Sequence, residues 1–410
     1  PERVMVLSKN DIVVSEIILT CLVNGITFTV LDCNAKYRRN NLLCKRFSPD
    51  VVFIDQDYSS LESSCKPIQI STDTKSINLK ALFGIQQPQC PYLDLLKKSP
   101  TTEPNTCKST LNDKAYVMFT SGTTASPKGV VISNNALDSH LTTLINVFQH
   151  NGNSRILNSL NLSHADGLVQ GPILNAYLGS YWHSQGPFSI NDIKDTFDCI
   201  AREKITNLIT VPTTLALIYR VVLSDDAMEK EFFKGVISTG GYLNKELWIN
   251  FEKRFSTNVY NIYGLTETTV GGVFSGPTLP TFRYDAVGIP VDCEVKIVDQ
   301  KMEPLADGES GLLLMKGSLL MSEYYLDSQA TNTTLKDGWL NTGDIAVINN
   351  GFVSILGRNK SVFNIGGYSI HPEEINEVIQ LNQNVSNAYT SVRKDDVFGD
   401  YIVSLVQIEI

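Results

Sequence analysis

The segment Tyr116–Gly129, reading YVMFTSGTTASPKG, joins an apolar strand to a loop dense in hydroxyls and glycine that closes on Lys128. Gly122 lets backbone amides turn toward an anion, the hydroxyls of Thr120, Ser121, Thr123 and Thr124 can donate further bonds, and Lys128 adds a mobile positive charge. A loop of this make-up can hold a polyphosphate. Pro127 removes one donor and stiffens the approach to Lys128. The order is Pro-Lys-Gly, not Gly-Lys followed by Ser or Thr, so this is not a Walker-type loop. Taken alone it also fits a polar surface loop after a strand.

Further clusters sharpen the reading. Asn261-Ile262-Tyr263-Gly264-Leu265-Thr266-Glu267 places an aromatic, a glycine, a hydroxyl and a carboxylate at one strand end. Such a set can stack a base, donate to a phosphate and hold Mg²⁺, or it can be a core tyrosine followed by a turn and a helix start. Asp344, in Asn341-Thr342-Gly343-Asp344, can accept two bonds from ribose hydroxyls or form an Asx-turn. Arg358 follows in Gly357-Arg358-Asn359-Lys360, near enough to share that ribose or a phosphate. Gly240-Gly241-Tyr242 follows a β-branched strand, where paired glycines permit close approach to a flat ligand or simply make a tight turn.

The elements that must position these groups are legible in outline. The 410 residues, 42% of them hydrophobic, supply one large core and two or three packed units. Strands such as PDVVFID alternate with amphipathic stretches such as SEIILTCLVNGI in the first half, and again from Ser154 to Tyr263. This predicts two doubly wound α/β sheets. Residues 97–113 read as an exposed linker, and about 282–359 as a small barrel-like β unit. Beyond it come a helical PEEINEVIQL and a final alternating strand, YIVSLVQIEI, with no sheet of its own to join. The net charge of −9 with no basic cluster argues against a nucleic-acid partner, and no apolar run reaches the ~18 residues of a membrane helix. Eight scattered cysteines suggest structural thiols in a reducing cytoplasm.

Order and spacing together resemble the adenylate-forming superfamily of acyl-CoA synthetases, luciferases and adenylation domains of nonribosomal peptide synthetases. The loop resembles that family's TSG-S/T-T-G-x-PKG signature, NIYGLTE its Tyr-Gly-x-Thr-Glu motif, NTGD its Thr-Gly-Asp motif, and GRNKSVFNIGGYSIHPEEI its hinge and lid entry. LVNGITFTVLD is similar to its LKAGAAYVPLD segment, so the likeness spans nearly the whole chain. The resemblance implies a core over 1–359, with its β-rich part at about 282–359, and a mobile α+β lid beginning at 360–410. It implies that Thr120, Ser121, Gly122, Thr123, Thr124 and Lys128 wrap the β- and γ-phosphates of ATP. Thr266 and Glu267 would address the α-phosphate and Mg²⁺, beside Gly264. Asn261 and Gly241 would border the adenine, Tyr263 would stack on it, Asp344 and Arg358 would bind ribose, and Lys360 would lie at the hinge. Lys128, Thr266 and Glu267 would be catalytic, in adenylation of a carboxylate followed by transfer to coenzyme A or to the phosphopantetheine of an acyl or peptidyl carrier protein.

Two departures stand out. Ala125 replaces the loop's usual glycine, and the family's lid lysine has no counterpart before Ile410, so a truncated lid is expected. The second reading is therefore a module that holds ATP or acyl-adenylate with little turnover. The acyl-pocket segment LSHADGLVQGPILNAYLGS gives divided cues. Asp166 falls where amino-acid-activating members pair the substrate ammonium, and His164 where many acyl-CoA synthetases gate the pocket. Asp166 can equally cap a helix starting at Gly167. With Gly240 and Tyr242 these residues mark the site of a small carboxylic or amino acid.

Overall fold

The computed structural model describes residues 1–55, 61, 67–70, 110–120, 127–185, 192–222, 227–279, 283–358, 363–365, 368–370, 372–380, 382, 384–395 and 399–408. Ser121, Gly122, Thr123, Thr124, Ala125 and Lys360 lie outside them, as does most of the expected linker.

Strands β1 (Arg3–Leu7), β2 (Thr27–Val30), β3 (Val51–Asp55) and β4 (Ile68–Ile70) pair in parallel, and β5 (Lys114–Thr120) joins β2 in the same sense. β6 (Lys128–Ser133) turns back antiparallel on β5. Ala115 to Phe119 of β5 are all buried, which is why this strand reads as an unbroken apolar run. Helix α1 (Asp11–Val23) is started by the Asn10 side chain accepting from Val13 N and buries Val14, Ile17, Ile18 and Cys21 along one face. Helix α2 (Tyr37–Phe47) packs Leu43, Cys44 and Phe47 on the opposite side of the sheet.

Helix α3 (Asn134–Phe148) leads into the second sheet, where β7 (Arg155–Asn158), β8 (Tyr181–Ser184), β9 (Asn207–Thr210), β10 (Gly235–Ser238) and β11 (Val259–Tyr263) are parallel. Their connections carry α4 (Ala165–Leu168), α5 (Leu174–Leu178), α6 (Ile193–Arg202), α7 (Pro212–Val221) and α8 (Lys245–Phe255). β12 (Val273–Phe274) and β13 (Ile289–Pro290) extend the β11 edge antiparallel. One apolar core takes Val6, Phe28, Tyr116 and Met118 from the first sheet and Ile156, Ile209, Ile237 and Ile262 from the second. Separate clusters cover the outer faces, so the two sheets share an inner helical layer.

The third unit is antiparallel: β14 (Cys293–Val298), β15 (Ser310–Gly317), β17 (Leu335–Lys336), β18 (Trp339–Asn349) and β19 (Phe352–Arg358). The 282–359 segment is not confined to it. β13 edges the second sheet, and β16 (Glu323–Tyr324) returns to pair with β6 at the edge of the first, just before α9 (Ser328–Thr334). NTGD, read from sequence as a turn, lies inside the long β18, because a bulge absorbs its glycine.

Beyond Arg358, β20 (Phe363–Ile365) pairs with β21 (Tyr368–Ile370), and α10 (Pro372–Gln380) precedes β22 (Val385–Asp395) and β23 (Gly399–Ile408). The final strand does have a partner: β22 and β23 form an antiparallel ribbon from Val385–Ile408 to Asp395–Gly399. The polar residues Asn387, Thr390, Ser391 and Lys394 masked β22 in the sequence. Among the described residues no helix is long and apolar enough to cross a membrane.

Gly264 controls the turn that leaves β11. A Cβ there would lie 2.2 Å from Gly271 N and 2.4 Å from the Val270 carbonyl carbon, and these are backbone atoms that no rotamer change can move. Gly264→Ala is expected to destabilise the fold by about 1–3 kcal/mol through this overpacking. Urea denaturation checks it, and an unchanged midpoint would mean the turn relaxes freely.

Candidate functional site

Two polar clusters converge on the carboxyl end of β11. In the first, β5 ends at Thr120 directly across from Lys128, the first residue of β6. The Thr120 hydroxyl is 3.5 Å from the Lys128 carbonyl. The Lys128 ammonium lies 4.4 Å above the centroid of the Tyr324 ring, a cation–π contact. The Tyr324 hydroxyl donates to Glu267 Oε1 at 2.6 Å. Burial and the Glu267 carboxylate hold this phenol protonated far above the usual tyrosine range. Glu267 sits in a single 3₁₀ turn, Thr266–Thr268, whose position is fixed by Met321 N donating to the Glu267 carbonyl at 2.8 Å. One aromatic side chain thus holds an ammonium on its face and a carboxylate at its tip. Together they can meet an anion and a divalent cation.

The second cluster is Tyr263, Asp344 and Arg358. The register of β15 on β18 shifts between Leu312, opposite Ile345, and Leu314, opposite Asn341, so Thr342, Gly343 and Asp344 form a bulge. Gly343 takes φ +74°, a left-handed conformation that glycine adopts without strain. Thr342 Oγ1 donates to the Leu313 carbonyl at 2.8 Å and accepts from Asp344 N at 3.1 Å. The Asx-type bond here is made by Asn341, whose Oδ1 accepts from Gly343 N at 3.0 Å, and not by Asp344. The Asp344 carboxylate instead accepts from Tyr263 Oη on Oδ2 at 2.5 Å and from Arg358 Nε on Oδ1 at 2.7 Å. Arg358 is its cross-strand partner on β19 and is exposed, whereas Asp344 is buried. Desolvation, then the Asp344 charge, raises the Tyr263 phenol well above its ordinary value. The phenol is therefore a standing donor. A carboxylate is an acceptor for hydroxyls as well as for such donors.

Asn261, expected to border the adenine, lies in β11 and is 2% exposed; its backbone exchanges bonds with Ser275, and its Oδ1 is buried with no hydrogen-bond partner among the described residues. Gly241 is exposed, near Pro212.

The acid-side residues separate into two groups. α4 begins at Ala165 with His164 as its N-cap position, so Asp166 lies within its first turn and does not cap a helix starting at Gly167. Asp166 Oδ1 accepts from Thr239 Oγ1 at 2.5 Å and Gln170 Nε2 at 3.2 Å. Burial outweighs these bonds and pushes its pKa up to about 6. Its Oδ2 faces Gly240, where a Cβ would come within 3.9 Å. His164 and Tyr242 are exposed. Tyr324, Thr239 and Gln170 were not foreseen. Thr239 alone carried a signal, through its place before the glycine pair. Among the described residues no group of three or more His, Cys, Asp or Glu forms a metal cage, so a cation at Glu267 must take most of its ligands from a bound phosphate or water.

A model of the AMP-binding enzyme family matches residues 1–325. Indoleacetate–CoA ligase of Aromatoleum aromaticum is 28% identical over 334 residues, covering 80% of this chain and 64% of its own length. Sulfoacetate–CoA ligase of Cupriavidus necator is 30% identical over 295 residues, covering 71% and 57%. The chain thus spans about three fifths of these relatives. The ATP-bound structure of MatB from Rhodopseudomonas palustris superposes with a TM-score of 0.86 at 20% identity, over 100% of this chain and 78% of that one. O-succinylbenzoate CoA synthetase (MenE) of Bacillus subtilis, in complex with its acyl-adenylate intermediate, gives 0.83 at 21%, over 100% and 79%. At these identities the likeness shows the fold.

Asp344→Ala is expected to weaken ATP and AMP binding alike by about 1.5–3 kcal/mol, the worth of charge-assisted hydrogen bonds. Calorimetric titration measures this. Undiminished binding would make the carboxylate only a brace for Tyr263 and Arg358.

Proposed function

We propose that this chain, which belongs to the AMP-binding enzyme family, adenylates a small carboxylic acid with ATP and passes the acyl group to the thiol of coenzyme A. The observation that carries this is the end of β11, where Tyr263 leads to Asp344 and Arg358, and Glu267 to Tyr324 and Lys128. A sugar-binding and a polyphosphate-binding cluster a few residues apart suit a nucleoside triphosphate.

The chemistry follows from these groups. A carboxylate oxygen of the acid attacks the α-phosphorus, a P–O bond forms, and the bond to pyrophosphate breaks with its electron pair on the leaving oxygen. Lys128 neutralises charge on the departing phosphates, and the Thr266 hydroxyl orients the α-phosphate. Asp344 and Arg358 fix the ribose, so that catalysis rests on positioning and charge stabilisation with no protein nucleophile. Glu267 would hold a magnesium ion, which would supply further positive charge to the phosphates. The thiol then attacks the acyl carbon and AMP leaves. Carrier-protein phosphopantetheine offers the same thiol chemistry. Free thiols at Cys21, Cys199 and Cys293 suit a reducing cytoplasm.

Asp166 supports an acid that also carries an ammonium group. Its carboxylate is anchored on one oxygen and faces the Gly240 backbone with the other, and a cation there would relieve the cost of burying its charge.

ATP–pyrophosphate exchange across amino, aryl and aliphatic acids, with the full natural polypeptide, tests both readings. Exchange with one class is expected, reduced at least about tenfold by Lys128→Ala through loss of a charged contact. Bound ATP with no exchange for any acid would favour a module that holds nucleotide with little turnover. Because Asp166 must be ionised to pair with ammonium, exchange with an amino acid should rise as pH passes upward through about 6, and Asp166→Asn should remove that rise. An amino acid whose exchange is indifferent to both would take Asp166 out of the pocket.

A further inference from the structure

Tyr324 lies outside every motif that marks the site, yet it is the side chain on which two of the site's charges meet. It enters from β16, where it pairs with Val130 of β6, and is 4% exposed. Its backbone N–H donates to Thr331 Oγ1 at 2.9 Å, which fixes the main chain that carries the ring. The neighbouring residues lock the same segment: Ser322 N donates to the Val131 carbonyl at 2.9 Å and Tyr325 N to the Gly129 carbonyl at 2.6 Å. A residue so held has little rotamer freedom left to lose when it makes a contact.

Its contacts are specific. The hydroxyl can donate once, and that bond goes to Glu267 Oε1 at 2.6 Å. A carboxylate in the middle of a single 3₁₀ turn has several rotamers open to it. The phenol selects one and leaves Oε2 to a cation. The ring face simultaneously carries the Lys128 ammonium at 4.4 Å. Lys128 is the partly buried first residue of β6, beside the loop, and a four-carbon side chain there would otherwise range widely.

Resting on the nucleotide reading above, we infer that Tyr324 is a positioning residue for the metal–triphosphate: its hydroxyl presets the Glu267 carboxylate for Mg²⁺, and its ring presets Lys128 for the phosphates. It touches neither reacting atom and acts through these two groups. Each arm predicts its own defect.

The test is calorimetric titration of the full chain with ATP, in the presence of Mg²⁺ and again in EDTA, for the wild type, Tyr324→Phe, Tyr324→Leu, Glu267→Gln and the Tyr324→Phe/Glu267→Gln double variant. Thermal unfolding of each variant reports its folding. Tyr324→Phe keeps the ring and is expected to bind ATP normally in EDTA while losing the Mg²⁺-dependent gain in affinity by about tenfold, the scale of a hydrogen bond to a charged group. In the Glu267→Gln background the same change should add nothing, because the carboxylate it serves is gone. A merely structural role for Tyr324 would weaken binding equally with and without the metal and would persist in the double variant. Tyr324→Leu, which also removes the ring, should weaken ATP in EDTA severalfold, and equal or tighter binding overturns the Lys128 arm. If Glu267→Gln leaves the Mg²⁺ gain intact, the assignment of Glu267 to the metal fails. If that variant loses the gain and Tyr324→Phe does not, the assignment stands and the role of Tyr324 is refuted.

Discussion

The hydrogen bond from Tyr324 to Glu267 is the interaction on which the rest of the site depends, because it closes a circuit through the three larger sheets. Tyr324 arrives from the antiparallel unit, pairs on the edge of the first sheet beside Lys128, and reaches a carboxylate carried by the end of the second. A few backbone bonds flank it, Met321 to Glu267, Ser322 to Val131 and Tyr325 to Gly129. Parallel sheets with an inner helical layer naturally bring their strand ends to one side. They do not by themselves fix the spacing between two such ends. The returning strand supplies that.

Electrostatics sets a second constraint. A chain of net charge −9 repels a polyanion at long range, but beyond about 8 Å that repulsion is screened at physiological ionic strength. The decision is local, and here the local charges are prearranged: Lys128 over an aromatic face, Arg358 against a buried carboxylate. Asp344 is an acceptor held among donors, so hydroxyls can be accommodated without desolvating it anew. Asp166 is different in kind. Its two bonds are to neutral partners, and its raised pKa records a charge that the fold alone does not fully stabilise.

The sequence revealed what local pattern or motif spacing can carry. The alternation of PDVVFID and SEIILTCLVNGI gave the parallel sheets, and the clusters around Lys128, Glu267 and Asp344 stood out by composition. What it hid was of two sorts. Pairings between distant residues leave no local trace, so Tyr324 in SEYYLD looked like any core aromatic. Strands with irregular pattern were misjudged: a glycine made NTGD look like a turn when a bulge was present, and polar residues concealed β22 and with it the partner of the last strand. The family resemblance named Asn261 for the adenine, and the three-dimensional structure adds that its Oδ1 is buried without a hydrogen-bond partner among the described residues.

The two-residue strand β16 has one more consequence, for the modularity of the chain. Without it, β6 would end the first sheet as an exposed edge of buried valine and isoleucine, the kind of template on which other chains pair and aggregate. The capping residues lie after β15, deep inside the antiparallel unit. The two α/β halves are contiguous in sequence up to that unit, yet they are not separable from it. A gene fusion or truncation made at the apparent boundary before β14 would strip that cover from the edge of the first sheet.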